Sequence, residues 1–239
     1  MNAKRILTFL SDIAANNNRE WFQANKAEYD AVRKDFTDSI AKAIGRIADF
    51  DPAIANVNVK DTMYRFNRDT RFSPDKSPYK RHFGAYICTH GRKALHGGYY
   101  IHIEPGNCML ATGSYWLPTN ILTSCRNEIM ANIDQWRKIV ESRSFVNFFG
   151  RPEDVKTGDS EMWPIDKKGF GITHLKSCPS GFPRNYEFIQ YLRMKDYCCW
   201  KMVPDTFFDG DQWLDEAVKV FKAAKPMMDF INGVIDDYE

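Results

Sequence analysis

The apolar residues Tyr29, Val32, Phe36, Ile40, Ile44 and Ile47 step by three and four, and after Asp51-Pro52 the pattern changes to alternation. Three-four spacing stacks side chains along one stripe of an α-helix, whereas alternation points every second side chain to one face of a strand. Proline breaks a helix interior, and the residue before it is pushed out of helical backbone, so the change of period falls where a helix has to end. A chain that opens helical and then turns to strands is read as α+β.

The same reasoning divides the rest of the chain. Ile6, Leu7, Phe9, Leu10 and Ile13 share a helical face, and Asn16, Asn17 and Asn18 end that helix and offer caps for the next. Strands are expected near Thr62 to Phe66, Phe83 to Thr89, Tyr99 to Ile103 and Cys108 to Gly113. Glu104-Pro105-Gly106-Asn107 reads as a tight turn joining the last two into a hairpin. On its first strand Tyr99, Ile101 and Ile103 face one way and Tyr100, His102 and Glu104 the other. Helices are predicted after Pro118, with Ile121, Leu122, Cys125 and Ile129 inward, and from Asp134, with Trp136, Ile139 and Val140 inward. From Phe149 to Pro183 glycines, prolines and charges predict a long loop region with one short strand, and Arg184 to Leu192 reads as helix. Tyr197 to Val203 reads as a late strand, and Trp213 to Ile235 as a terminal helical region that Pro226 interrupts. The expectation is a single α+β domain over residues 1–239: a helical part at 1–52, a sheet-forming part at 60–115, helices and loops at 118–192, and the late strand and C-terminal helices at 196–239. Its sheet is mostly antiparallel, with about five strands, flanked by the N- and C-terminal helices.

A content of 44% hydrophobic and 14% aromatic residues is enough for an ordinary packed core, so neither disorder nor a disulfide scaffold is needed. The formal charge of +2 is too near neutral for a dedicated nucleic-acid binder. The six cysteines form no Cys-x-x-Cys pair and sit mostly in apolar surroundings, the pattern of reduced structural thiols. The first residues meet Ser11 and Asp12 after a short apolar run, which fits neither a signal peptide nor a membrane span. A cytoplasmic setting without membrane contact is therefore expected. Oligomeric state is not readable.

Charge is concentrated locally. From Tyr64 to Gly84, "YRFNRDTRFSPDKSPYKRHFG" packs cations among aromatics and prolines, and Pro74 and Pro78 forbid a continuous helix through its second half. Arg65, Arg68, Arg71, Lys76 and Lys80 are thus expected on an ordered loop, where guanidinium forks and ammonium groups suit phosphate or carboxylate oxygens and Tyr79 adds a hydroxyl. The competing reading pairs Asp69 and Asp75 with these cations, so that the loop is architecture. Two carboxylates, even with Asp61, are too few to neutralise every cation.

Arg65-x-x-Arg68-Asp69-x-Arg71-Phe72-x-x-Asp75-Lys76-x-Pro78-Tyr79-Lys80 resembles the signature of a mainly bacterial family of conserved hypothetical proteins catalogued as domain of unknown function 2461. Asn17-Asn18-Arg19-Glu20-Trp21-Phe22 is similar to its N-terminal motif, Leu175-Lys176-x-x-Pro179-x-Gly181 and Leu192-x-x-Lys195 to its later ones, and Pro226-x-x-Asp229-Phe230 to its terminal helix. The resemblance implies one α+β domain in a cytoplasmic setting. It brings no established activity, cofactor or catalytic residue.

Other chemistry has less support. His82, His90, His96, His102 and Glu104 match no standard metal spacing, so no metal site is expected. There is no Gly-x-Ser-x-Gly elbow, dinucleotide fingerprint or P-loop, and no cofactor is named by the sequence. Lys176, Lys195, Arg184 and Arg193 form a second basic set interleaved with Phe182, Tyr186, Phe188, Tyr191 and Tyr197; if the late strand pairs beside the first, both sets line one groove. Trp21, Trp116 and Trp213 are read as core and helix contacts, with Trp116 also placed to rim that cleft. The leading expectation is an anionic small molecule held by Arg65, Arg68, Arg71, Lys76, Tyr79, Lys80, Lys176 and Lys195, with Asp69 or Asp75 orienting the cations. Any proton transfer is assigned to Asp75, Tyr79 or His102. The alternatives are nucleic acid on the same basic groove, or a salt-bridged structural loop in an interaction protein.

Overall fold

The computed structural model describes residues 1–152 and 167–238. Helices α1 (Ala3–Ala15), α2 (Arg19–Ala24), α3 (Lys26–Ala48) and α4 (Val59–Thr62) precede strands β1 (Phe83–Ile87), β2 (Gly98–Ile103) and β3 (Cys108–Ser114). Helices α5 (Thr119–Ala131), α6 (Ile133–Val140) and α7 (Arg143–Phe149), strand β4 (Lys168–Phe170), helix α8 (Ile189–Leu192), strand β5 (Tyr197–Val203) and helix α9 (Trp213–Asp236) follow. The expected α+β class is observed, with one five-stranded antiparallel sheet in the order β1-β2-β3-β5-β4. Among the described residues no helix is long and apolar enough to cross a membrane. None of the six cysteines forms a disulfide.

By packing, the chain divides into two compact units. The first comprises Met1–Arg92, Tyr100–Leu110 and Val203–Val218. Here α1 docks on α3, and the stripe that predicted α3 is its buried face: Val32, Phe36, Ile40, Ile44 and Ile47. An aromatic cluster joins the helices to the chain leading into β1. Phe22 stacks on Tyr79 at 4.2 Å between ring centroids, and Phe66 lies 5.7 Å from Tyr79 and 5.4 Å from Phe83. Asn2 and Asn18 cap α1 and α2, their side chains accepting the N–H groups of Arg5 and Trp21.

The second unit comprises Lys93–Tyr99, Ala111–Met202 and Lys219–Glu239. Its core centres on Trp136, whose ring lies 5.1 Å from Phe230, 5.6 Å from Tyr197 and 6.1 Å from Phe170. Gly113 has φ +112°, and a Cβ there would stand 2.1 Å from the carbonyl oxygen of Tyr197. Only glycine lets β3 approach β5 so closely.

Several expectations need correction. Thr62 to Phe66 is not a strand: it begins at the end of α4 and meets β1 only through an isolated Met63–Ala85 bridge and a Tyr64 N–H to Gly84 carbonyl bond. The carbonyls of Asp61, Met63 and Tyr64 are taken by arginine side chains and not by a neighbouring strand. Arg184 to Leu192 is helical only at Ile189–Leu192, the residues before it forming successive tight turns after Pro183. Pro226 does not interrupt α9; it lies on the exposed face, where water can satisfy the carbonyl it leaves open, while Phe221, Ala224, Met227 and Met228 bury the other face. The late strand lies beside β3 and β4 and not beside β1, so the condition for one groove lined by both basic sets is not met. Trp213 is buried and Trp21 half-buried as expected, whereas Trp116 is 76% exposed at φ 65° and fills no core. The expected loop from Phe149 to Pro183 lies in part outside the described residues.

Candidate functional site

The basic segment splits into two groups that behave differently. In the exposed tip, Asp69 accepts two bonds from the Arg71 guanidinium, at 2.7 and 3.0 Å, and lies 4.0 Å from Arg65. Asp75 accepts from the Ser77 hydroxyl and N–H and from Arg68. Lys76 donates to the carbonyl of Thr70 at 2.9 Å. The Arg71 side chain and backbone N–H hold Asp69 down to about 2, and Ser77 followed by Arg68 does the same for Asp75. Both carboxylates are ionised at neutral pH and engaged in local bonds, so Asp75 carries no proton to transfer there. Arg68 and Asp75, and Arg71 and Asp69, thus satisfy one another, while Lys76 is held by backbone carbonyls of the loop.

Tyr79 turns the other way. Its ring is buried in the aromatic cluster, and its backbone is clamped by Asn17, whose amide donates to the Tyr79 carbonyl at 2.9 Å and accepts the Tyr79 N–H at 3.0 Å. The N-terminal motif and the basic segment therefore meet at this point.

Lys80 begins the second group. Its ammonium lies 5.3 Å over the ring of Tyr64, half-buried, and its backbone N–H is fixed to the Phe66 carbonyl. Arg33, on α3, donates one guanidinium nitrogen to the Tyr64 carbonyl at 2.8 Å and stacks over Phe83 at 5.3 Å. Its other terminal nitrogen, Nη1, is buried without a hydrogen-bond partner. Arg92 donates to the carbonyls of Asp61 and Met63. The carbonyls left unpaired by the broken strand are thus what hold two guanidinium groups beside Lys80. Burial lowers the pKa of Lys80 from its ordinary value, and the charges of Arg65, Arg33 and Arg92, all of its own sign, lower it further. Burial likewise lowers Arg33.

From Tyr64 a polar chain runs along β2. The rings of Tyr64 and Tyr100 meet edge-on at 6.1 Å, the Tyr100 hydroxyl lies 2.8 Å from His102 Nδ1, and His102 Nε2 lies 3.2 Å from Glu104 Oε2. Alternation along the strand puts Tyr100, His102 and Glu104 on one face, as the sequence predicts. Gly84 on β1 makes room, because a Cβ there would stand 2.7 Å from the Tyr100 hydroxyl. His82, just before β1, stacks on His102 with ring centroids 4.5 Å apart. Burial and then the neighbouring His102 push His82 down to about 3, and burial lifts Tyr100 well above the usual tyrosine value. Burial alone would raise Glu104, but bonds from His102 and Asn107 outweigh it and hold the carboxyl below its ordinary value.

Of the residues expected to bind a ligand, Arg65 and Lys80 belong to this convergent group. Arg33 and Arg92 were not foreseen. Arg33 has a readable signal, since it stands four residues after Tyr29 and three before Phe36, a charge on the apolar side of a helix. Arg92 has none. Lys176 and Lys195 are exposed in the second unit, where Arg193 donates to the carbonyls of Leu175 and Lys176 and the buried Asp196 accepts the N–H groups of Ile172 and Thr173. The later motifs thus build a turn around Asp196. His96 pairs with Asp236 at 2.8 Å in that unit.

No curated protein and no solved structure matches the chain. One family does, over residues 5–230, a span that takes in the Asn17 clamp, the whole basic segment, β2 and the Asp196 turn. The chain therefore belongs to the family described as conserved hypothetical protein DUF2461.

Proposed function

We propose that this protein binds a phosphate- or carboxylate-bearing small molecule at Lys80, Arg33 and Arg92, with Arg65 at the rim. The observation that carries this reading is the half-buried Lys80 ammonium, on which the acting charges are three guanidinium groups. Like charges brought together at partial burial cost free energy, and an anion among them turns repulsion into charge-assisted hydrogen bonds. The buried, unpartnered Nη1 of Arg33 supports the same reading, since such a donor is costly unless it gains an acceptor. The exposed tip, where Arg68 and Arg71 are paired with Asp75 and Asp69 and Lys76 is bonded to backbone carbonyls, lies outside the site. A cytoplasmic setting, where such anions are abundant and thiols stay reduced, suits six cysteines that form no disulfide.

The test is thermal melting at low salt with phosphate, pyrophosphate, nucleotides, sugar phosphates, carboxylates and a short single-stranded RNA. A site-specific ligand at about a hundred times its dissociation constant stabilises by about 2.7 kcal/mol. The expected shift disappears in Lys80→Met and persists in Arg71→Ala. A shift that survives Lys80→Met overturns the reading. Stabilisation by RNA alone, with steep loss in salt, assigns the cations to nucleic-acid phosphates instead.

A further inference from the structure

We propose that His82, His102 and Glu104 form a binding site for a divalent transition-metal ion of the zinc class. One ligand atom from each residue lies within 4.8 Å of the other two. The His102 Nε2 to Glu104 Oε2 separation of 3.2 Å is close to the edge of a tetrahedron around zinc, about 3.3 Å for bonds of about 2.0 Å. His82 stands just before β1, half-buried, with its ring against that of His102.

The scaffold is of the kind that fixes metal ligands. His102 near the end of β2 and Glu104 just past it are two residues apart, and the residue entering the neighbouring strand β1 supplies the third ligand. The Tyr100 hydroxyl at 2.8 Å from His102 Nδ1 orients the ring: without metal Nε2–H donates to Glu104 and Nδ1 accepts the phenol proton, and a metal that takes the place of the Nε2 proton leaves Nδ1–H donating to the phenol oxygen. Asn107 donates to Glu104 Oε2 at 2.7 Å and holds the carboxylate from the other side. Two imidazoles and one carboxylate suit zinc or its neighbours better than magnesium or calcium, and this donor set leaves a fourth position for water or a ligand. The ligands are among the histidines and the carboxylate that the sequence offers, but they match no standard spacing, because they come from two neighbouring segments of the sheet and no local motif contains them.

The site is independent of the anion reading, and its test uses no anion. Chelator-treated protein is titrated with Zn2+ by calorimetry and with Co2+ by visible absorption. The expected result is ~1 metal ion per chain and the intense d–d bands of four-coordinate Co2+. His82→Ala and Glu104→Gln each weaken Zn2+ binding at least about tenfold, and Tyr100→Phe, which removes only the orienting hydroxyl, weakens it about tenfold with stoichiometry unchanged. His90→Ala leaves binding intact. The proposal is overturned if Zn2+ does not bind, if affinity is the same in folded His82→Ala and Glu104→Gln, or if His90→Ala abolishes binding.

Discussion

Asn17 and Tyr79 exchange two hydrogen bonds across 62 residues of chain, the Asn17 amide matching both the N–H and the C=O of one peptide position. That pair ties the break between α1 and α2 to the segment that delivers Lys80 and His82. Asn17→Ala is expected to cost roughly 1–3 kcal/mol, because it strands a part-buried donor and acceptor together. Tyr79→Phe should change neither stability nor ligand binding, whereas Tyr79→Ala should cost roughly 3–5 kcal/mol through the lost ring. Urea denaturation with an unchanged slope checks all three, and a large effect of Tyr79→Phe would return the hydroxyl to consideration as a functional group.

Arg71→Ala separates architecture from function in the basic segment. Its guanidinium is exposed and paired with Asp69, an arrangement that contributes little to stability in water. The melting temperature should stay within about 1 °C of wild type. Lys80→Met should melt higher than wild type without ligand, because it removes a half-buried ammonium facing charges of its own sign and leaves an apolar chain on Tyr64. A lower melting temperature for Lys80→Met would mean that the contact with Tyr64 outweighs the repulsion.

Gly84→Ala tests the packing behind β2. The added methyl would stand 2.7 Å from the Tyr100 hydroxyl and 3.1 Å from the adjacent ring carbon, so the ring has to move. A cost of roughly 1–3 kcal/mol is expected. In a Tyr100→Phe background the nearest clash is gone and the penalty should shrink, giving a coupling between the two positions in a double-mutant cycle. Additive penalties would show that the backbone, and not the phenol, absorbs the strain.

What could be read in the sequence followed the periodicities. The stripe from Tyr29 to Ile47, the alternation of Tyr99 to Ile103 and the Glu104-Pro105-Gly106-Asn107 turn each have a local cause, and α3, β2 and the hairpin appear where those causes put them. Thr62 to Phe66 has strand-like residues, but its carbonyls are taken by arginine side chains from elsewhere in the fold, which no local pattern reports. The candidate site divides the same way. Lys80 and Arg65 announce themselves in a basic run, while Arg33 and Arg92 reach it from other segments. The pairing of Arg68, Arg71 and Lys76 within the loop tip depends on a backbone path that composition does not fix.

His174 carries the clearest pH signature in the second unit. Its ring is buried, neither nitrogen has a hydrogen-bond partner, and Gly171 is packed so closely that a Cβ would stand 2.9 Å from the ring. Burial, followed by the charge of Arg193, pushes its pKa down to about 4 from an ordinary value of 6.5. Between those two values the unfolded chain binds a proton that the folded protein refuses. Stability from this residue is therefore complete above pH 6.5 and falls as the pH drops toward 4, by up to about 1.4 kcal/mol per pH unit. His174→Met, which removes the titrating group and the two unpartnered nitrogens while keeping an apolar side chain, should flatten that slope and leave stability at pH 7.5 unchanged or higher. His82 slopes the same way, so the quantity to read is the difference between wild type and variant in urea melts at several pH values. Parallel curves would mean that His174 is reached by water and titrates as it does in the unfolded chain.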